Sequence, residues 1–166
     1  MSDWEKSGPQ LAIDGKHHTS GSGGFYHSKK ELYPWHMRQF NSASYLKGVK
    51  IYNRVDNFGS RLKSVEVRAG KTTIDAGYKG RITANYLCGT FVGPGEDGGV
   101  YTVTCDSPIL ANVVTLQIVA AGKQHLNLDE VEYILGMSDK IPIYQPLSNL
   151  NITSLAIYAY YTNHFS

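Results

Sequence analysis

The chain has 166 residues, about one domain's worth and enough to bury a core. Hydrophobic residues make up 42%, charged residues only 18%, and the formal net charge is +2. Lys and Arg are scattered, with no run longer than Lys29-Lys30, which argues against the basic stripe of a nucleic-acid binder, and no apolar stretch reaches membrane-span length.

In chain order, Met1 to Lys6 lack the basic start and apolar run of a secretion signal. Asp14-Gly15 reads as a turn. His17-His18 could suggest a metal pair, but consecutive residues on a strand face opposite ways. Val49, Ile51 and Asn53 alternate with Lys50 and Tyr52, the period of a strand. Leu62 to Arg68 places Val65 and Val67 on one face and Ser64, Glu66 and Arg68 on the other. The same period recurs over Tyr101–Cys105 and Leu126–Tyr133, and Ala111 to Ala121 is a longer run rich in β-branched residues. Seventeen glycines and twelve tyrosines suit short strands joined by tight turns. No segment sustains a 3.6-residue period, so the expected class is all-β, an antiparallel sandwich or barrel. Cys88 and Cys105 bracket the glycine-rich segment 93–99. A disulfide in an extracellular protein and two buried thiols both fit, whereas zinc does not, for want of CxxC spacing or paired histidines. Beyond Gly136 the composition shifts to a proline-bearing connector, followed by an apolar-rich segment from Asn149 to Tyr161 that includes the sequon Asn151-Ile152-Thr153.

Three basic side chains carry the chemistry. His27 is followed by 26 residues, then Arg54-Val55-Asp56, four residues and Arg61. Two guanidinium forks and an imidazole offer fixed hydrogen-bond donors suited to the oxygens of a neutral sugar. Asp56, two residues after Arg54, falls on the same side of a regular strand and would orient an arginine. Taken alone, such a cluster also suits a plain surface network. Glycoside hydrolysis usually needs two carboxyl groups roughly 5–9.5 Å apart, and only Asp56 is at hand. No G-x-S-x-G elbow exists either. The cluster reads as a binding site, not an enzyme.

The spacing is also the signature of the F-type (fucose-binding) lectin family, which the chain resembles from about Leu11 to Leu135. Ala12-Ile13-Asp14-Gly15 is similar to the family's A-[IV]-D-G turn, and Pro34-Trp35 to its P-W pair. Val49 to Leu62 lines up without a gap. Leu126-Asn-Leu-Asp-Glu-Val-Glu132 resembles the closing L-x-L-C-E-V strand. The resemblance implies a discoidin-like, jelly-roll β-sandwich and a Cys88–Cys105 disulfide. It implies a lectin for L-fucose and fucosylated glycans, with His27, Arg54 and Arg61 on the sugar. Where many members carry adjacent cysteines this chain has Asn57-Phe58, so Phe58 is the candidate stacking platform. Phe25 or Tyr26 would line an apolar nook, with His18 at the rim. A structural Ca2+ is implied at Asp14 and Glu130, helped by backbone carbonyls near Leu11, Lys16 and Gly24, with the Lys16 side chain an awkward neighbour.

The family's usual first strand is missing before Leu11, and Asn149 to Tyr161 looks like a divergent copy of it. The expectation is a circular permutation in which Lys140 to Ser148 bridges the usual ends and Ile152 to Tyr158 pairs beside a core strand; an unrelated C-terminal tail is the alternative. Weak single-site binding implies a homo-oligomer, and the disulfide an extracellular or secretory setting. Replacing Arg54 with Ala is expected to abolish sugar binding and leave the fold largely intact. The competing function is a discoidin-like adhesion module for protein or membrane surfaces, for which Trp4 and Tyr144 would be the exposed aromatics.

Overall fold

The computed structural model describes residues 8–18 and 24–136. The segment expected to be a permuted strand, the expected connector beyond Gly136, the sequon, Trp4 and Tyr144 lie outside the described residues. Seven strands follow one another: β1 (Tyr26–His27), β2 (Trp35–Tyr52), β3 (Val65–Gly70), β4 (Tyr86–Phe91), β5 (Val100–Ile118), β6 (Asn127–Leu128) and β7 (Glu130–Gly136). Two 3-10 turns, Pro9–Ala12 and Gly59–Arg61, are the helical elements among the described residues.

All pairings are antiparallel, and β2 and β5 are long enough to serve two layers. In the first layer, β5 over 113–118 lies between β3 and the start of β2, with β4 outside β3. In the second, β2 over 48–52 lies between β5 over 100–104 and the edge strand β7. The change of layer comes where the register slips, between Gln39 and Ser44 and between Leu46 and Gly48. Opposite the second slip β5 carries Pro108, which has no N–H to give a ladder and is at home in a bulge. The sequence suggested two strands, 101–105 and 111–121; they are one strand that ends at Ile118 and carries this register shift opposite β2.

Between the layers lies a core of Leu46, Val49, Ile51, Val65, Val67, Leu116, Ile118, Leu126 and Leu128, all fully buried. Cys88 of β4 is disulfide-bonded to Cys105 of β5, which settles the open question about the two cysteines. The alternation expected for 49–53 holds, with Asn53 buried beside Val49 and Ile51. That expected for β3 holds only in part, because Glu66 is buried as well. Arg68 and Arg81 both bond its carboxylate, and the segment that carries Arg81 and buried Ile82 is tied to β5 through Gln117. A covered outer face replaces the solvated one.

Candidate functional site

The ends of β2 and β1 and the turn after β2 bring the triad together. β2 finishes at Tyr52, and Asn53 then acts as a staple: its side-chain amide donates to the carbonyls of Gly59 (2.9 Å) and Glu96 (2.8 Å). Asn57 takes a left-handed conformation (φ 65°), which Asn tolerates better than most residues. That turn leads into the 3-10 segment Gly59–Arg61, further pinned by Gly59 N–H donating to Asp97 (2.6 Å). Phe58 and Arg61 are thus presented by a loop tied down at both ends.

Arg54 is the hub. It is 5% exposed. Its Nε and one terminal nitrogen grip both oxygens of Asp56, the latter at 2.6 Å, and its other terminal nitrogen donates to Asn127 Oδ1 at 2.8 Å. Three of five N–H donors are accounted for by these bonds. The guanidinium carbon lies over the rings of Phe25 (4.5 Å) and Phe58 (5.0 Å), and that of Arg61 over Phe58 at 4.2 Å. Rings and guanidinium planes therefore stack, a favourable cation–π arrangement. Hydrogen bonding from Arg54 holds the Asp56 carboxyl below the usual carboxylate range, opposed by partial burial.

His27 pairs with Asn127 across β1 and β6, which places it beside the hub. Its Nδ1–H donates to Ser28 O at 2.8 Å, and His125 Nδ1–H donates to the same oxygen at 3.0 Å. The two rings meet edge-on, 4.6 Å between centroids. A carbonyl only accepts, so both imidazoles carry their proton on Nδ1 when neutral. Burial lowers the pKa of His27, the Ser28 bond opposes this, and His125, Arg54 and Arg61 lower it further. The arrangement is a row of arginine donors, a neutral imidazole and aromatic faces, with one carboxylate already engaged by Arg54.

Of the residues singled out from the sequence, His27, Arg54, Asp56, Phe58, Arg61 and Phe25 share this cluster. Tyr26 does not. Side chains alternate along a strand, and Tyr26 turns the other way: its hydroxyl donates to Trp35 O (2.9 Å) and its ring meets His36 edge-on. His18 is drawn off as well, its Nδ1 2.7 Å from Asp129 Oδ1 and its N–H on Oδ2 at 2.9 Å. His17 has other partners, stacking on Tyr52 and facing Glu132 at 3.5 Å, so the adjacent histidines do not act as a pair. Asn53, Asn127, His125 and Asp129 went unnoticed as site residues. Only Asn53 carried a signal, a polar residue that continues the buried phase of β2 just past its end. The burial and three hydrogen bonds of Arg54 argue against the expectation that it can be removed without harm to the fold.

For the expected calcium, Glu130 Oε2 accepts from Gly15 N–H (3.0 Å) and Asp14 Oδ1 from Lys16 N–H (3.0 Å). Burial raises the pKa of Glu130, and the nearby charge of Asp14 raises it further, against the Gly15 hydrogen bond. A carboxylate on the turn at Asp14 that acts on another at the start of β7 is chemistry that a hard cation relieves. Lys16 Nζ, 3.9 Å from Asp14 Oδ2, partly answers the same charge. No group of three His, Cys, Asp or Glu side chains suited to a metal occurs among the described residues, so most ligands would have to be backbone oxygens. Leu11 lies in the first 3-10 turn and Gly24 next to undescribed residues.

By sequence comparison the chain matches no protein-family model and no curated protein. Its structure is similar to the fucolectin from Morone saxatilis (striped bass) serum, with TM-score 0.68 and 23% identity over 79% of this chain. That match spans 42% of the bass protein. It is also similar to the lectin domain of lectinolysin complexed with Lewis B antigen (TM-score 0.59, 21% identity, 78% of this chain and 84% of that one). A Streptococcus pneumoniae fucose binding module matches at TM-score 0.58 with 21% identity, over 75% of this chain and 80% of the module. The layered antiparallel strands and these likenesses agree: the chain has the discoidin-like β-sandwich fold on which F-type lectins are built.

Proposed function

We propose that the protein is a lectin that binds L-fucose and fucosylated glycans at the His27–Arg54–Arg61 cluster. The observation that carries the reading is the stack of Phe25, Arg54, Phe58 and Arg61, with Arg54 locked on Asp56 and Asn127. Donors held in place before the ligand arrives lose little entropy on binding. Hydroxyl and ring oxygens would accept from the arginines, and neutral His27 would complete the polar edge. Phe58, 46% exposed, would meet the apolar face of the sugar where relatives of this type carry paired cysteines. With one carboxylate, itself tied to Arg54, the site favours holding a glycoside over cleaving it.

Asp14 and Glu130 would hold a Ca2+ that stiffens the loop leading to His27, and the ion would take no part in recognition. A disulfide suits an extracellular or secretory setting. A monosaccharide site of millimolar strength is worth only about −4 kcal/mol, so several copies would act together on a glycan surface. Calorimetric titration with L-fucose tests the reading: saturable millimolar binding is expected, lost in Arg61→Ala, whose half-buried side chain is less built into the fold than Arg54. Absence of saturation, or unchanged binding by Arg61→Ala, would favour the adhesion reading instead. A rise in melting temperature with Ca2+, reversed by chelation and absent in Asp14→Ala, tests the metal.

A further inference from the structure

A second concavity lies where the start of β2 meets the loop 76–79 and the turn at Pro9. It encloses about 320 Å³ and is walled chiefly by Tyr26, Glu31, Trp35, His36, Tyr78 and Lys79. That volume falls at the small end of the ~300–1,000 Å³ typical of small-molecule sites. Tyr26 and His27 leave β1 on opposite faces, so this place is separate from the triad.

The aromatic walls are fixed to one another. Trp35 Nε1–H donates to Tyr78 O at 2.9 Å, Tyr26 donates to Trp35 O at 2.9 Å, and the Tyr78 hydroxyl donates to Arg81 O at 3.2 Å. His36 is the most buried of the lining side chains, 2% exposed. Its Nε2–H donates to Pro9 O at 2.9 Å, so in the neutral ring Nδ1 carries the lone pair. Burial favours that neutral ring, with the Pro9 bond opposing and Arg38 assisting. No hydrogen-bond partner for Nδ1 occurs among the described residues. Because that atom is itself shut off from solvent, a ligand in the concavity meets the ring of His36 as wall and not its lone pair. Glu31 and Lys79 add one charge of each sign, so the wall favours neither an anion nor a cation.

We propose that this concavity is a second carbohydrate site, taking a neutral hexopyranoside. The C–H face of the ring lies on Trp35 or Tyr78, and its hydroxyls reach towards Glu31 and Lys79. Sugar hydroxyls both donate and accept, which this mixed wall requires, and aromatic faces suit the apolar side of a pyranose. This site would act independently of the triad, and together with fucose at the triad the chain would engage two sugars at once.

The test is an NMR titration of 15N-labelled protein with methyl β-D-galactopyranoside, methyl α-D-glucopyranoside and methyl α-D-mannopyranoside. The reporter is the Trp35 indole N–H, distinguished from that of Trp4 by Trp4→Phe. At least one glycoside is expected to shift it saturably with Kd ~1–10 mM. The shift should persist in Arg61→Ala and weaken at least ~10-fold in both Tyr78→Ala and Glu31→Gln, the latter keeping side-chain shape should the former unfold. No saturable shift with any of the three up to ~50 mM overturns the proposal. So does a shift that vanishes in Arg61→Ala, or one that Glu31→Gln leaves unchanged.

Discussion

Asp56→Asn isolates the role of the carboxylate that holds Arg54. In the native protein both Asp56 oxygens accept from a guanidinium that is 5% exposed. Asparagine keeps the shape but loses the charge and one acceptor. Hydrogen bonds to charged groups contribute ~1.5–3 kcal/mol. Because the Asp56 side chain is 26% exposed, solvent screens part of that, and the low end, about 1.5 kcal/mol, is appropriate. With a urea m-value of ~1.5 kcal/mol/M, the midpoint falls by about 1 M. The pH dependence follows from the depressed pKa of Asp56. Its stabilisation is complete well above the unfolded carboxylate value and is lost as pH falls through the lower, folded value. The gap between native and variant should therefore be full at neutral pH and shrink from pH ~4 downward. Urea unfolding of both proteins across that range measures it. A gap under ~0.5 kcal/mol at neutral pH, or one that is undiminished near pH ~2, refutes the account of Arg54 as a buried cation held by Asp56.

Other outcomes are expected from the same geometry. Gly59→Ala places a Cβ 2.4 Å from the carbonyl carbon of Glu96 and 2.5 Å from the nitrogen of Asp97, so one loop must move; a loss of ~3 kcal/mol in thermal unfolding and of fucose binding is expected. Removing the Cys88–Cys105 bridge by a double Cys→Ser change frees a loop of sequence separation 17. Stability should fall by ~3 kcal/mol while fucose affinity is kept, because the bridge lies between β4 and β5, outside the cluster. The pKa of His27 is lowered, chiefly by burial. Titrations should show fucose affinity level above pH ~6.5 and falling only below it, as the ring gains a proton beside two arginines. The same sign applies to stability: the unfolded chain takes up the His27 proton first, so acidification below that point favours unfolding.

How much of this was legible in the sequence depends on the range of the interaction. The period of 49–53 announced a strand, and fixed spacing on one strand and loop brought Arg54, Asp56, Phe58 and Arg61 together. Partners supplied from afar were invisible: Asn127 is 73 residues from Arg54 and His125 is 97 from Ser28. Nor can alternation alone say that Glu66 is covered by Arg68 and Arg81, since that needs the path of a distant segment. Tyr26 was misplaced for a simpler reason. Beside His27 in sequence is across the sheet from it in space.

The burial of Arg54 has an evolutionary consequence. On the proposed function, a descendant that stopped binding sugar would still need a cation between Phe25, Phe58 and Asp56, or would have to rebuild that neighbourhood at once. Arg61 carries no such debt and would drift first. In related sequences, therefore, a retained arginine at position 54 testifies to the scaffold, and the pair His27 with Arg61 is the better witness to an active ligand site.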